Sequence, residues 1–181
     1  FDPKKPTALE VIDPGCKFCA KLFGNIKGAG FEGKYNLTYI PYAIPSATSS
    51  SGYKFPNSPL VISYLEAVKI IPLDSKLPAD WQILEKLFVG KAPNGSSYQE
   101  QFNLLYSRQE AEEVLIGWLK EVGYDEEQIR KIQTVVGSDT VKQRVEKQKE
   151  TVEERIRTIK IPTIMFDGRR YDRVIGEEKL K

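Results

Sequence analysis

The most informative segment of the chain reads TALEVIDPGCKFC and spans residues 7–19. Its first six residues are rich in β-formers and precede the breaker DPG, which is the pattern of a buried strand that ends in a turn. Apolar residues then recur at helical spacing, so that Cys16 and Cys19 fall in the first turn of a predicted helix. A β-rich segment over residues 35–43 completes a predicted βαβ unit.

The two cysteines are suited to thiol–disulfide exchange. At a helix N-terminus, Cys16 meets free backbone N–H groups and the positive end of the helix dipole, and both stabilise a thiolate. We therefore predict that Cys16 is the exposed nucleophile and that Cys19, one turn deeper, is the resolving thiol. Lys17 is a candidate source of positive charge near the sulfur, and Phe18 offers either a surface for a client or a core contact. The alternative is a structural disulfide or half of a metal site, which is weakened because the chain has no other cysteine and no histidine.

The composition excludes several functional classes. The 181 residues are 40% hydrophobic and 29% charged, as in an ordinary globular protein, and the net charge of +2 provides no field to attract nucleic acid. The absence of histidine excludes Ser-His-Asp and Cys-His catalysis and His-ligated zinc, iron and haem. We expect no metal, no cofactor and no nucleic-acid partner. No run reaches the roughly 18 to 20 apolar residues of a membrane span.

The rest of the chain changes pattern twice. A loop rich in Ser and Pro over residues 45–59 leads into a long helical region. The chain then returns to strands over residues 159–166 and 170–175, which an Asp-Gly turn joins as a hairpin. The predicted ranges are 1–45 with 157–181 for one domain and 59–156 for a helical insertion.

Pro162 interrupts the first strand of this hairpin and cannot donate to a strand ladder. A cis Ile161–Pro162 bond packed opposite the two cysteines supplies a structural reason for its position. The backbone of Ile161 is then free to pair with an incoming peptide as an added strand. The alternative is an ordinary trans proline on an edge strand.

Together these features resemble the DsbA-like thiol–disulfide oxidoreductases of the thioredoxin superfamily. The shared features are the strand–breaker–CxxC start, the β-rich second strand, the long helical middle and the Ile-Pro-Thr strand with its hairpin, and they cover nearly the whole chain. The resemblance implies an α/β, thioredoxin-like fold with a large helical insertion between the βαβ half and the C-terminal β-hairpin half.

The resemblance also implies an enzyme that acts outside the cytoplasm. It would be periplasmic, or anchored in a membrane and facing outside, with its signal or anchor absent from this chain. Its partners would be cysteine-containing protein substrates and a redox partner that recycles the CxxC, for which a membrane protein is one candidate.

The family's site residues carry over to named positions of this sequence. The resemblance places the nucleophile at Cys16, the resolving thiol at Cys19 and the cis-proline at Pro162, with Ile161 in the selectivity position before it. It also places a buried acid six residues before the nucleophile, at Glu10. Such a carboxyl should have a raised pKa and exchange protons with Cys19. The alternative for Glu10 is a surface-facing side chain on an edge strand.

The chain departs from the family's pattern between the cysteines. DsbA-like oxidants usually carry Pro-His there, whereas this chain has Lys17-Phe18. Because this dipeptide affects thiolate stability and the reduction potential, it bears on the direction of the reaction. We predict a dithiol oxidase. The alternatives are a disulfide reductase or isomerase with the same cysteines, a redox-inactive binding or chaperone module, and a glutathione-transferase-like relative.

Overall fold

A four-stranded mixed sheet joins the two ends of the chain. In the computed structural model, which describes residues 2–181, its order is β2-β1-β3-β4. Strand β1 runs parallel to β2 and antiparallel to β3, and β4 completes a hairpin with β3. The bounds are β1 (Thr7–Ile12), β2 (Asn36–Pro41), β3 (Thr163–Phe166) and β4 (Arg169–Tyr171).

Helix α1 (Lys17–Gly28) makes the crossover between the parallel strands β1 and β2. Parallel neighbours need such a connection because a two-residue turn can join only antiparallel strands. One face of α1 is apolar at helical spacing and is buried. Its buried residues are Cys19, Leu22, Phe23 and Ile26.

Helices fill the chain between β2 and β3. The long ones pack around one another, and two of them begin with a side-chain capping box. A short helix follows β4. The bounds are α2 (Ser58–Ile70), α3 (Ala79–Val89), α4 (Tyr98–Glu100) with a π-helical turn (Gln101–Leu105), α5 (Arg108–Val122), α6 (Glu126–Val136), α7 (Asp139–Glu150) with a π-helical turn (Thr151–Ile156), and α8 (Glu177–Leu180).

Two groups of buried apolar side chains meet at α1. Leu22 and Ile26 pack with residues of the sheet and the C-terminus, such as Ile164. Cys19 and Phe23 pack on the other side with residues of the long helices. Helix α1 is therefore held by both parts of the fold.

The structure confirms the predicted α/β architecture with helices inserted between the βαβ unit and the C-terminal hairpin. The Asp-Gly turn is present, with positive φ at both Asp167 and Gly168, as a tight hairpin turn requires. The predicted domain ranges stay a prediction, and Phe1 lies outside the described residues. Over residues 2–181, none of the helices combines the length and apolarity that a membrane crossing requires.

The hairpin strands are shorter than predicted. The first begins at Thr163 instead of residue 159, because proline has no N–H for the ladder and the pairing with β1 starts at Thr163, opposite Val11. The second covers only Arg169–Tyr171 instead of residues 170–175. Helix α8, which follows it, was not predicted.

Candidate active site

The two cysteines lie where β1 gives way to α1. Cys16 is the N-cap of the helix, and its N–H donates to the carbonyl of Asp13 at 2.9 Å, which closes the DPG turn. Cys19 follows one turn later, and its N–H donates to the carbonyl of Cys16 at 2.9 Å. Both are free thiols.

The two thiols differ strongly in acidity. A hydrogen bond from the Cys19 side chain, together with the backbone N–H groups of Cys19 and Phe18, lowers the pKa of Cys16 to about 6, although burial and the charge of Asp13 oppose this. Burial raises the pKa of Cys19 well above its usual value, and the neighbouring Cys16 and Glu10 add to the effect. One sulfur is therefore mostly thiolate at neutral pH, and the other is held as a thiol.

Cys16 is less exposed than predicted. Only 5% of the residue is accessible, against 0% for Cys19. The reason is the segment before β3, which lies against it: the Cys16 Sγ is 3.8 Å from the carbonyl oxygen of Ile161. A reactant can therefore reach this sulfur only along the groove that Cys16 lines.

The peptide bond between Ile161 and Pro162 is cis. A small polar cluster holds the loop around it: the Thr163 hydroxyl lies 2.6 Å from the carbonyl oxygen of Lys160 and 2.8 Å from a carboxylate oxygen of Asp172, and can donate its one hydrogen to either. These contacts hold the loop against the start of β3 and the segment after β4, and Ile161 lies beside Cys16.

A groove of about 560 Å³ runs past Cys16 and the cis-proline loop. Phe18 and Ile159, which are 52% and 95% exposed, contribute apolar surface to it. Its other apolar lining residues are Ile44, Ile161, Pro162 and Val174. A pocket of this kind at a reactive sulfur is where an extended peptide can be held.

Glu10 is buried in the central strand β1 and does not face solvent. It is 2% exposed, and its Oε1 has no hydrogen-bond partner within residues 2–181. Burial raises the pKa of this carboxyl to about 8. Because its charge contributes to the raised pKa of Cys19, the carboxyl and the deeper thiol are electrostatically coupled.

The residues between the cysteines both face outward. The ammonium of Lys17 lies 5.4 Å from the centroid of the Phe18 ring. Hydrogen bonds account for the lowered pKa of Cys16, and Lys17 is not among the causes. These two side chains therefore form surface beside the sulfur.

The sequence reasoning missed Asp13, which anchors the turn before Cys16. Its carboxylate accepts hydrogen bonds from the N–H groups of Gly15 and Ile44, both at 2.8 Å, and from the hydroxyl of Ser58. Burial raises its pKa, while these hydrogen bonds act in the opposite direction. The position of Asp13 just before the cysteines could have indicated a role at the site. In the sequence, however, the DPG segment was interpreted only as a strand breaker.

Two side-chain amides of the helical insertion also hold this turn. Gln99 donates from Nε2 to the carbonyls of Pro14, at 2.7 Å, and Cys16, at 3.2 Å. Asn103 donates from Nδ2 to the carbonyl of Gly15 at 2.8 Å. Side chains of the inserted helices thus bind three consecutive carbonyls of the turn that leads into α1, and no sequence signal marks these contacts.

No protein-family model and no curated protein matches this chain. Solved structures do match. The thiol-disulfide exchange protein alpha-DsbA2 from Wolbachia pipientis is 14% identical, with a TM-score of 0.62 over 99% of this chain and 80% of that one. A thioredoxin-like oxidoreductase from Silicibacter pomeroyi is 14% identical, with a TM-score of 0.61 over 99% of this chain and 89% of that one.

A third similar structure is the cytosolic disulfide reductase DsbM from Pseudomonas aeruginosa. It is 13% identical, with a TM-score of 0.58 over 91% of this chain and 87% of that one. Sequence identities this low bear on the fold alone. The architecture, the CxxC at the start of α1 and the three structural matches agree: this chain has the thioredoxin fold with the helical insertion of DsbA-like proteins.

Proposed function

We propose that this protein is a thiol–disulfide oxidoreductase that oxidises cysteine pairs in client proteins. The observation that carries the proposal is the position of Cys16: its sulfur sits at the start of a helix, 3.8 Å from the Ile161 carbonyl, in a groove open to a peptide. Cys19 lies directly behind it as the resolving thiol.

The reaction begins with the Cys16–Cys19 disulfide. A client thiolate attacks the Cys16 sulfur, a new client–Cys16 bond forms, and the Cys16–Cys19 bond breaks. Cys19 leaves as a thiolate and takes a proton from Glu10, whose pKa of about 8 keeps it mostly protonated at pH 7. The backbone of Ile161 aligns the client as an added strand.

The second step releases the oxidised client. Its second thiolate attacks the client sulfur of the mixed disulfide, and Cys16 leaves as a thiolate. The client loses two electrons, and the two protein cysteines gain them. With its pKa lowered to about 6, Cys16 is a better leaving group than an ordinary cysteine.

The acidity of Cys16 supports the oxidising direction. Stabilising its thiolate stabilises the reduced protein, which makes the disulfide a stronger oxidant. At pH 7 a thiol with a pKa of about 6 is about nine-tenths thiolate, against a few per cent for a free cysteine. Oxidation of clients calls for an oxidising compartment, so we place the protein outside the cytoplasm, with a redox partner that returns the CxxC to its disulfide.

A disulfide reductase with the same cysteines is the second candidate. It is favoured by the likeness to a protein described as a cytosolic disulfide reductase. The reduction potential separates the two: a value near roughly −120 mV supports an oxidant, and one near roughly −270 mV supports a reductase.

Two cysteine variants test the proposal with a dithiol peptide whose oxidation changes its fluorescence. We expect Cys16→Ser to abolish turnover, because no mixed disulfide can form. Cys16 of the Cys19→Ser variant is first joined to a small thiol in a mixed disulfide, and a single-cysteine version of the peptide is added. The peptide thiolate attacks the Cys16 sulfur and the small thiol leaves, and we expect the resulting peptide–Cys16 disulfide to persist in mass spectra because no Cys19 is present to resolve it. If both variants oxidise the peptide as fast as the natural protein, the sulfurs do not carry the function, and a redox-inactive binding module becomes the better interpretation.

A further inference from the structure

Four cationic side chains line the groove beside Cys16. They come from four places in the chain: Lys21 from α1, Lys54 from the loop before α2, Lys160 from the loop before Pro162, and Arg173 from the segment after β4. All four are exposed. The fold therefore brings together positive charges that are scattered in the sequence.

These charges are not neutralised by the protein. None of the ion pairs formed within residues 2–181 includes any of the four. The one acid that lines the groove, Asp172, is already paired with the guanidinium of Arg170 at 2.7 Å.

Asp13 is a buried acid on which the charge of Lys54 acts. Burial raises the pKa of Asp13 and the charge of Lys54 opposes that rise, yet the two form no salt bridge within residues 2–181. The groove thus carries a concentrated excess of positive charge in a chain whose net charge is only +2.

The groove combines this charge with an apolar surface. Phe18 and Ile159 are the most exposed of its apolar residues and leave room for an apolar client side chain. Cations without a partner around such a surface attract acidic segments and repel basic ones. Such charges raise the association rate of an acidic segment more than they raise its affinity.

We infer that the groove selects client segments that carry Asp or Glu within a few residues of the reacting cysteine. This inference rests on the proposed function, since it assigns the client class of the same site. The occupant is an extended, acidic, cysteine-containing segment of a protein, seated with its backbone along Ile161 and its carboxylates towards Lys54, Lys160 and their neighbours.

The test compares two dithiol peptides of equal length, one with four Asp near its cysteines and one with Asn at the same positions. Carboxylates also change the reactivity of the peptide's own thiols, so each rate is divided by the rate of the same peptide with a small neutral disulfide. We expect the normalised kcat/KM of the acidic peptide to be about tenfold higher at an ionic strength of about 0.01 M. At about 1 M, where the screening length falls to about 3 Å, the ratio should approach one.

Charge variants locate the effect. The double variant Lys54→Gln/Lys160→Gln should reduce the acidic-to-neutral ratio at least threefold. Lys120→Gln, which removes an exposed cation of α5 outside the groove, is the matched control and should leave the ratio unchanged. Equal rates for the two peptides, or an equal effect of the control, would overturn the inference.

A binding measurement separates this inference from the proposed function. The same two peptides, with Ser in place of Cys and a fluorescent label, report affinity by anisotropy without any sulfur chemistry. Preferential binding of the acidic peptide without turnover of the dithiol peptides supports the charge selectivity and refutes the oxidoreductase. Turnover of both dithiol peptides without any preference refutes the selectivity alone.

Discussion

Replacing Glu10 with glutamine should stabilise the oxidised protein at neutral pH. Burial raises the pKa of the carboxyl from 4.5 to about 8, so folding favours its protonated form. Because the pKa is higher in the folded state, ionisation of this carboxyl lowers the free energy of unfolding. The loss is zero well below pH 4.5, grows with each pH unit up to about 8, and is constant above that. At about 1.4 kcal/mol per pH unit, the cost at pH 7 is about 3 kcal/mol. An amide of the same shape has no charge to desolvate.

The assay is chemical denaturation of the disulfide form, in which neither cysteine titrates. The difference in unfolding free energy between Glu10→Gln and the natural protein should be near zero at pH 4, about 3 kcal/mol at pH 7 and about 5 kcal/mol at pH 9. Glu32→Gln, at an exposed carboxyl, is the matched control and should change the unfolding free energy at pH 7 by no more than about 0.5 kcal/mol.

The same variant should lose activity while it gains stability. Without the proton from Glu10, Cys19 leaves the disulfide as an unneutralised buried thiolate, and general acid catalysis of this kind contributes about 10²-fold or more. A Glu10→Gln protein whose stability difference stays constant from pH 5 to pH 8 would refute the burial argument. Unchanged opening of the disulfide would refute the proton transfer.

Three further results are expected. The rate at which iodoacetamide alkylates reduced Cys16 should reach half its plateau near pH 6. Cys19→Ala should move that midpoint upward, because Cys19 provides the largest stabilisation of the thiolate. A midpoint near 8.5 in the natural protein would contradict this. Gly15→Ala should lower the unfolding free energy by about 1–3 kcal/mol in denaturant, since the new Cβ would lie 2.4 Å from the Cβ of Phe55. Gln99→Leu should cost about 1–3 kcal/mol in the same assay because it leaves the buried carbonyl of Pro14 without its donor, and a stability within error of the natural protein would argue against that role.

The parts of the fold that depend on neighbouring residues could be predicted. The bounds of β1 agree with the predicted Thr7–Ile12, because a β-rich run that ends at a DPG breaker has a local cause. Both cysteines were predicted in the first turn of the helix, and Cys16 lies at its N-cap, directly before the first helical residue, Lys17. The Asp167-Gly168 turn is likewise a local property of two residues that tolerate positive φ.

Predictions failed where distant segments decide the outcome. The strand placed at residues 159–166 begins only at Thr163, because its pairing with the distant strand β1 starts there, opposite Val11. Cys16 is less exposed than the helix position alone suggests, since Ile161 lies against it from 145 residues away in the sequence.

The sequence by itself determined the kind of chemistry: two cysteines three positions apart, no histidine, and a strand and turn that lead into a helix. Only the tertiary structure decided how acidic Cys16 is, that the Glu10 Oε1 is enclosed with no hydrogen-bond partner among residues 2–181, and that Gln99 reaches the carbonyl of Cys16 across 83 residues. The physical reason is that local propensity places a residue on an element. Desolvation, hydrogen bonding and the charge of a groove depend instead on which separate parts of the chain come to share the same space.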